Sequence, residues 1–164
     1  MVTGTVALVA WALTAIGGFV MLGRWVARGG LRQQRSGTSR LPAGVVFSHL
    51  ALAAAGLVLW VLHLIVEAEA LGWIALALLV PVAALGFAML ARWLQVRRGD
   101  LVGSAAGAPR TSGAPPGAGR DGPTPGSETP AERHLPVPVV VAHGVLAVAT
   151  VVLVLTTLLG VGGG

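Results

Sequence analysis

Four stretches of about 20 residues or more run through this sequence almost without charge, and no other feature limits so strongly what the chain can fold into. They cover about 5–23, 43–66, 71–91 and 137–161. A helix rising about 1.5 Å per residue needs roughly 20 apolar residues to cross a hydrocarbon core about 30 Å thick. A segment in that core must satisfy its own backbone hydrogen bonds, and the period-2 alternation of a barrel strand is missing, so helices are expected. With 55% hydrophobic and 10% charged residues the chain is too apolar for a soluble domain. The expected fold is all-α, a polytopic bundle of four transmembrane helices.

The charges orient that bundle. Arg28, Arg32, Arg35 and Arg40 fill the loop after the first span, and Arg92, Arg97 and Arg98 follow the third, whereas the short turn between the second and third spans carries Glu67 and Glu69. Arginine accumulates on the cytoplasmic side, so both termini and the acidic turn are expected outside. No positive residue precedes Arg24, so the first span lacks the basic start of a signal peptide and is expected to be retained. The net charge of +5 is carried by arginine without any lysine. In a chain rich in Ala, Gly and Val this points to a GC-rich bacterium and its plasma membrane. Because the charges flank membrane spans, they imply lipid as a partner and no nucleic acid. Without cysteine, disulfides, iron–sulfur clusters and thiolate metal sites are excluded.

Residues 1–98 hold the first helix pair and the third span, 99–134 a Gly/Pro-rich linker, and 135–164 the fourth span. The linker, with GAPPGAGRDGPTPGSETP at its centre, cannot bury enough apolar surface to offset its chain entropy and is expected to be disordered and cytoplasmic. Pro42 and Pro136 stand at helix starts, where a missing N–H costs nothing. Pro81 falls inside the third span and predicts a kink there.

The spans repeat. Leu41, Pro42 and His49 recur as Leu135, Pro136 and His143, an offset of 143 − 49 = 94, and GFVMLGRW from Gly18 recurs as GFAMLARW from Gly86, an offset of 86 − 18 = 68. The chain therefore reads as two tandem, parallel two-helix repeats, related by an axis along the membrane normal. The second and fourth spans become diagonal partners, with His49 and His143 at one depth, about 9 Å inside the cytoplasmic boundary. Two neutral imidazoles at that depth suit iron, copper or zinc, and without a carboxylate or thiolate beside them a planar macrocycle would complete the coordination. The free ring nitrogens should find Val45 and Val139, one turn back, or Ser48.

These two spans resemble the cytochrome b class of haem bundles, in which two helices present histidines at matched depths. His49 and His63, 14 residues apart, have that family's spacing, but offset 94 carries His63 onto Thr157. The resemblance implies one haem b, ligated by His49 and His143, with Arg24 and Arg92 near enough to pair its propionates. The arginines read equally well as interface anchors beside Trp25 and Trp93.

Three accounts of the histidine pair stand at this point: haem ligation, polar packing between helices, and another metal or a proton relay. His63 is expected to pair with Glu67 at i,i+4, and His134 to meet lipid headgroups. The first functional reading is a small b-type cytochrome, an electron carrier rather than a catalyst, exchanging electrons with a quinone or a larger membrane redox complex. The second is a cofactor-free accessory or assembly subunit, whose small residues at Gly17, Gly18 and 53–56 also allow a homo-oligomer.

Overall fold

The structure, a computed structural model, describes residues 2–105 and 129–161, over which the secondary structure is helical, with no strand among them. Four helices are long and apolar enough to cross a membrane: α1 (Val2–Ala27), α3 (Ala43–Val66), α4 (Glu69–Ala105) and α5 (Val137–Leu158). The short α2 (Gly30–Arg35) joins α1 to α3, and a one-turn 3-10 helix, Ala131–His134, leads into α5. α4, at 37 residues, outlasts the roughly 20 a span needs and continues as one helix past Pro81, which helices tolerate where neighbours re-satisfy the freed carbonyl. The middle of the expected linker, 106–128, lies outside the described residues. Its flanks belong to α4 and to the segment before α5.

The four long helices close into a bundle of two intimate pairs, α1 along α5 and α3 along α4, with sparser contact between the pairs. α3 and α4 are joined by Glu67 and Ala68 alone. Glu67 adopts a left-handed conformation (φ 57°) while its N–H still caps His63 O at 2.9 Å. The expected His63–Glu67 ion pair is therefore not made, because the left-handed residue turns its side chain off the helical face on which i,i+4 neighbours meet. His63 Nδ1–H instead donates to Ala68 O at 2.9 Å, its ring 5.0 Å from that of Trp60.

Two apolar clusters fill the bundle. One, toward the Glu67 end, gathers Ala7, Trp11, Trp60, Ala75, Leu79 and Val154, with Trp60 Nε1–H donating to Gly4 O on α1 at 3.3 Å. The other, toward the arginine-rich end, gathers Trp25, Leu41, Trp93, Ala131 and Leu135. The face of Trp25 rests on Gly30, where any Cβ would collide with the indole, so α2 can fold back over α1 only with glycine there.

Above the second cluster the connections are laced by side-chain amides. Gln33 brackets Pro130, donating to Thr129 O at 3.1 Å and accepting Ala131 N–H at 2.8 Å. Gln34 brackets Pro42 in the same way, through Leu41 O and Ala43 N. The fully buried carboxylate of Glu132 accepts Arg40 N–H at 2.6 Å and the Ser39 hydroxyl at 3.2 Å. A proline interrupts backbone pairing, and a glutamine that donates on one side of it and accepts on the other restores both bonds.

Candidate functional site

Between the two apolar clusters lies a layer of different composition: His49, His143, Thr14, Thr150, Gly17, Gly18 and Gly86, with Val82 the buried apolar residue among them. His49 on α3 and His143 on α5 approach across the seam between the helix pairs, their ring centroids 6.4 Å apart and their planes inclined by 55°. Each ring is held from within its own pair. His49 Nδ1–H donates to Val82 O on α4 at 3.0 Å, and His143 Nδ1–H donates to Thr14 O on α1 at 2.9 Å.

The acceptors differ from those expected one turn back at Val45 and Val139, and Ser48 is exposed. In a helix those carbonyls already accept from residues 49 and 143 themselves, and an imidazole aimed at the neighbouring helix passes beyond them. Glycine makes the approach close enough. A Cβ on Gly86 would come within 3.4 Å of His49 Cε1, and one on Gly18 within 3.3 Å of His143 Cε1. Threonines reinforce the α1–α5 side: Thr14 and Thr150 bond back to Ala10 O and Leu146 O, each at 2.8 Å, and their hydroxyls stand 3.4 Å apart.

The chemistry follows from the tautomer. A carbonyl can only accept, so Nδ1 carries the proton and the lone pair of each neutral ring is on Nε2. A ligating imidazole needs such a bond on its other nitrogen. A metal–nitrogen bond of about 2.1 Å on each side, with about 1.1 Å from nitrogen to ring centre, would set the centroids of two imidazoles sharing one metal about 6.4 Å apart, a length equal to the separation of these two tilted rings. Among the described residues no group of three His, Asp, Glu or Cys converges on one point, so the two histidines stand as a pair.

The remaining expected residues lie elsewhere. His63 packs at the other end of the bundle, and exposed His134 has Nδ1 3.4 Å from Arg28 Nη1. Arg24 is exposed, and its guanidinium makes no hydrogen bond or ion pair with another described residue. Arg92 Nη1–H donates to Arg40 O at 3.1 Å, ahead of the start of α3 and 49 − 40 = 9 residues before His49. Sequence reasoning missed Gln33, Gln34 and Glu132, whose partners are largely backbone groups of another connection. Trp25 and Trp93 both bury an indole N–H that has no acceptor among the described residues. No protein-family model, curated protein or solved structure matches the chain.

Proposed function

We propose that this is a multi-pass plasma-membrane protein that holds one b-type haem between His49 and His143 and carries electrons to or from a quinone or a larger membrane redox complex. The observation that carries the reading is the pair of imidazoles, each oriented by a carbonyl of its own helix pair and facing the other across the seam where the bundle is least tightly packed. His49 and His143 would hold the haem, one from each helix pair, and the haem would supply the one-electron chemistry. Exposed Arg24 stays available to a propionate. Arg92 spends one donor, Nη1–H, on Arg40 O and keeps the rest of its guanidinium free.

The same reading treats the chain as a duplicated helix pair. Thr14 and Val82, whose carbonyls receive the two histidines, differ by 82 − 14 = 68, the offset of the α1 and α4 repeat. Buried residues follow suit: Ala7 with Ala75, Trp25 with Trp93, Leu41 with Leu135 and Trp60 with Val154. A Cβ on Gly4 would meet Leu64 and Thr157, and one on Gly72 would meet Leu158 and His63, the same contacts under exchange of the repeats.

The competing account, a cofactor-free accessory subunit, draws on those histidine–carbonyl bonds too, since polar side chains can join helices without any ligand. Absorption decides between them. Protein purified from haem-replete cells should be red, with a reduced b-type band and one haem per chain, and a colourless protein contradicts the proposal.

Orientation belongs to the same proposal. Among the described residues the arginines gather at one end of the bundle and Glu67 and Glu69 at the other, which favours a cytoplasmic arginine end and outside termini. A fluorescent reporter inserted at 113 should light up, and an alkaline phosphatase inserted there should stay inactive; the opposite pattern reverses the topology.

A further inference from the structure

At the arginine-rich end, a cleft of about 390 Å³ opens between α4 and the connection that leads into α3, lined by Gln34, Ser39, Arg40, Pro42, Arg92 and Gln95. Its donors divide into those already committed and those still free. The Gln34 amide is occupied on both sides by Leu41 O and Ala43 N, and the Ser39 hydroxyl is taken by Glu132. Arg92 uses Nη1 alone, on Arg40 O, a bond that fixes its guanidinium over the cleft. The exposed guanidinium of Arg40 and the Gln95 amide bond to no other described residue. No acid lines the space, and Glu132, the nearest carboxylate in the hydrogen-bond network, is buried and satisfied by Arg40 N and Ser39.

We infer that this cleft binds a phosphate group, the headgroup phosphate of an anionic phospholipid, between the guanidinium groups of Arg40 and Arg92. Planar guanidinium forks match phosphate oxygens two at a time, which an ammonium cannot do. Given the membrane-spanning reading of α3 and α4, the cleft stands where their apolar lengths end, at headgroup level, and basic pockets between helices on that side of a membrane suit anionic lipids. A lipid presents its phosphate there already confined to that plane. A soluble phosphate compound shares the chemistry and lacks that confinement, so the lipid is favoured.

Native mass spectrometry of the whole protein in detergent, titrated with dioleoylphosphatidylglycerol, tests the assignment. The wild type should retain one tightly bound lipid. Arg40→Gln with Arg92→Gln should weaken it about tenfold or more, and Arg40→Lys alone, which keeps the charge and loses the fork, should also weaken it measurably. Arg32→Gln with Arg35→Gln removes the same charge from the same end outside the cleft and should change affinity about twofold or less. Equal weakening by the two double variants would reduce the effect to diffuse surface charge and overturn the site, as would an unchanged affinity in the cleft variant. Inorganic phosphate at millimolar concentration should fail to displace the lipid, and its displacement of the lipid would overturn the lipid as the source. Melting curves without added lipid establish that each variant is folded, and the haem band of Arg32→Gln with Arg35→Gln, read in parallel, should match the wild type.

Discussion

Replacing His49 or His143 by alanine should remove the b-type band, lowering haem per chain at least about tenfold, whereas His63→Ala should leave it intact. The division follows from the geometry. His49 and His143 approach to 6.4 Å across the seam, and each is the one imidazole its helix pair offers there. His63 lies against Trp60 and Gly72 near the other end of α3, and its counterpart at offset 94 is Thr157. Ser48→Ala should leave the spectrum unchanged as well, since Val82 O rather than Ser48 orients His49. Gly86→Val and Gly18→Val approach the site from outside the ligand set. Their Cβ atoms already come within 3.4 and 3.3 Å of the imidazoles, so the added methyls must push the rings out of line and should lower haem content. If the His49 and His143 variants keep normal haem content, the cytochrome proposal fails. Each histidine should then cost only about 1 kcal/mol of stability on removal, as polar helix packing requires.

Glu132→Ala should destabilise the arginine-rich end by about 3–5 kcal/mol, the largest stability change expected of any substitution outside the spans. Its carboxylate is fully buried and accepts two hydrogen bonds, from Arg40 N–H and Ser39 Oγ, and bonds to a charged acceptor contribute about 1.5–3 kcal/mol each. Alanine removes both and leaves the Arg40 N–H without its acceptor. The effect should be local: faster hydrogen exchange at the Arg40 amide and faster tryptic cleavage after exposed Arg133, with the haem band retained. Glu132→Gln keeps one carbonyl acceptor and should fall between wild type and alanine. A Glu132→Ala protein whose exchange and cleavage match the wild type would show that the two bonds do not hold the connections together.

The cap at that end also explains why its residues are hard to read in sequence. Gln33, Gln34 and Glu132 stand in polar stretches that look like ordinary loop, and nothing in their composition says that Gln33 and Glu132 each reach a backbone group in a different connection, or that Gln34 brackets Pro42. A glutamine beside a proline is too common a pattern to carry a prediction. Thr129–His134 reads as the tail of a linker because Gly and Pro dominate what precedes it. Its order comes from Ala131 and Leu135 entering the Trp25 and Trp93 cluster, a tertiary gain with no local signal.

By itself the sequence determined the all-helical class, four spans and their approximate ends, the segregation of arginine from glutamate, and two histidines at equal distance from equivalent helix starts. All of these depend on local quantities: apolar run length, charge placement and residue spacing. Only the tertiary structure decided that α1 lies along α5 and α3 along α4, that the imidazoles meet at 6.4 Å, and that Thr14 and Val82 supply the carbonyls that orient them. Every residue carries a backbone carbonyl, so no side chain marks the one that will accept a bond from another helix. That choice is made by the register in which two helices pack, and here the register is set by glycines that let an imidazole lie against the neighbouring backbone.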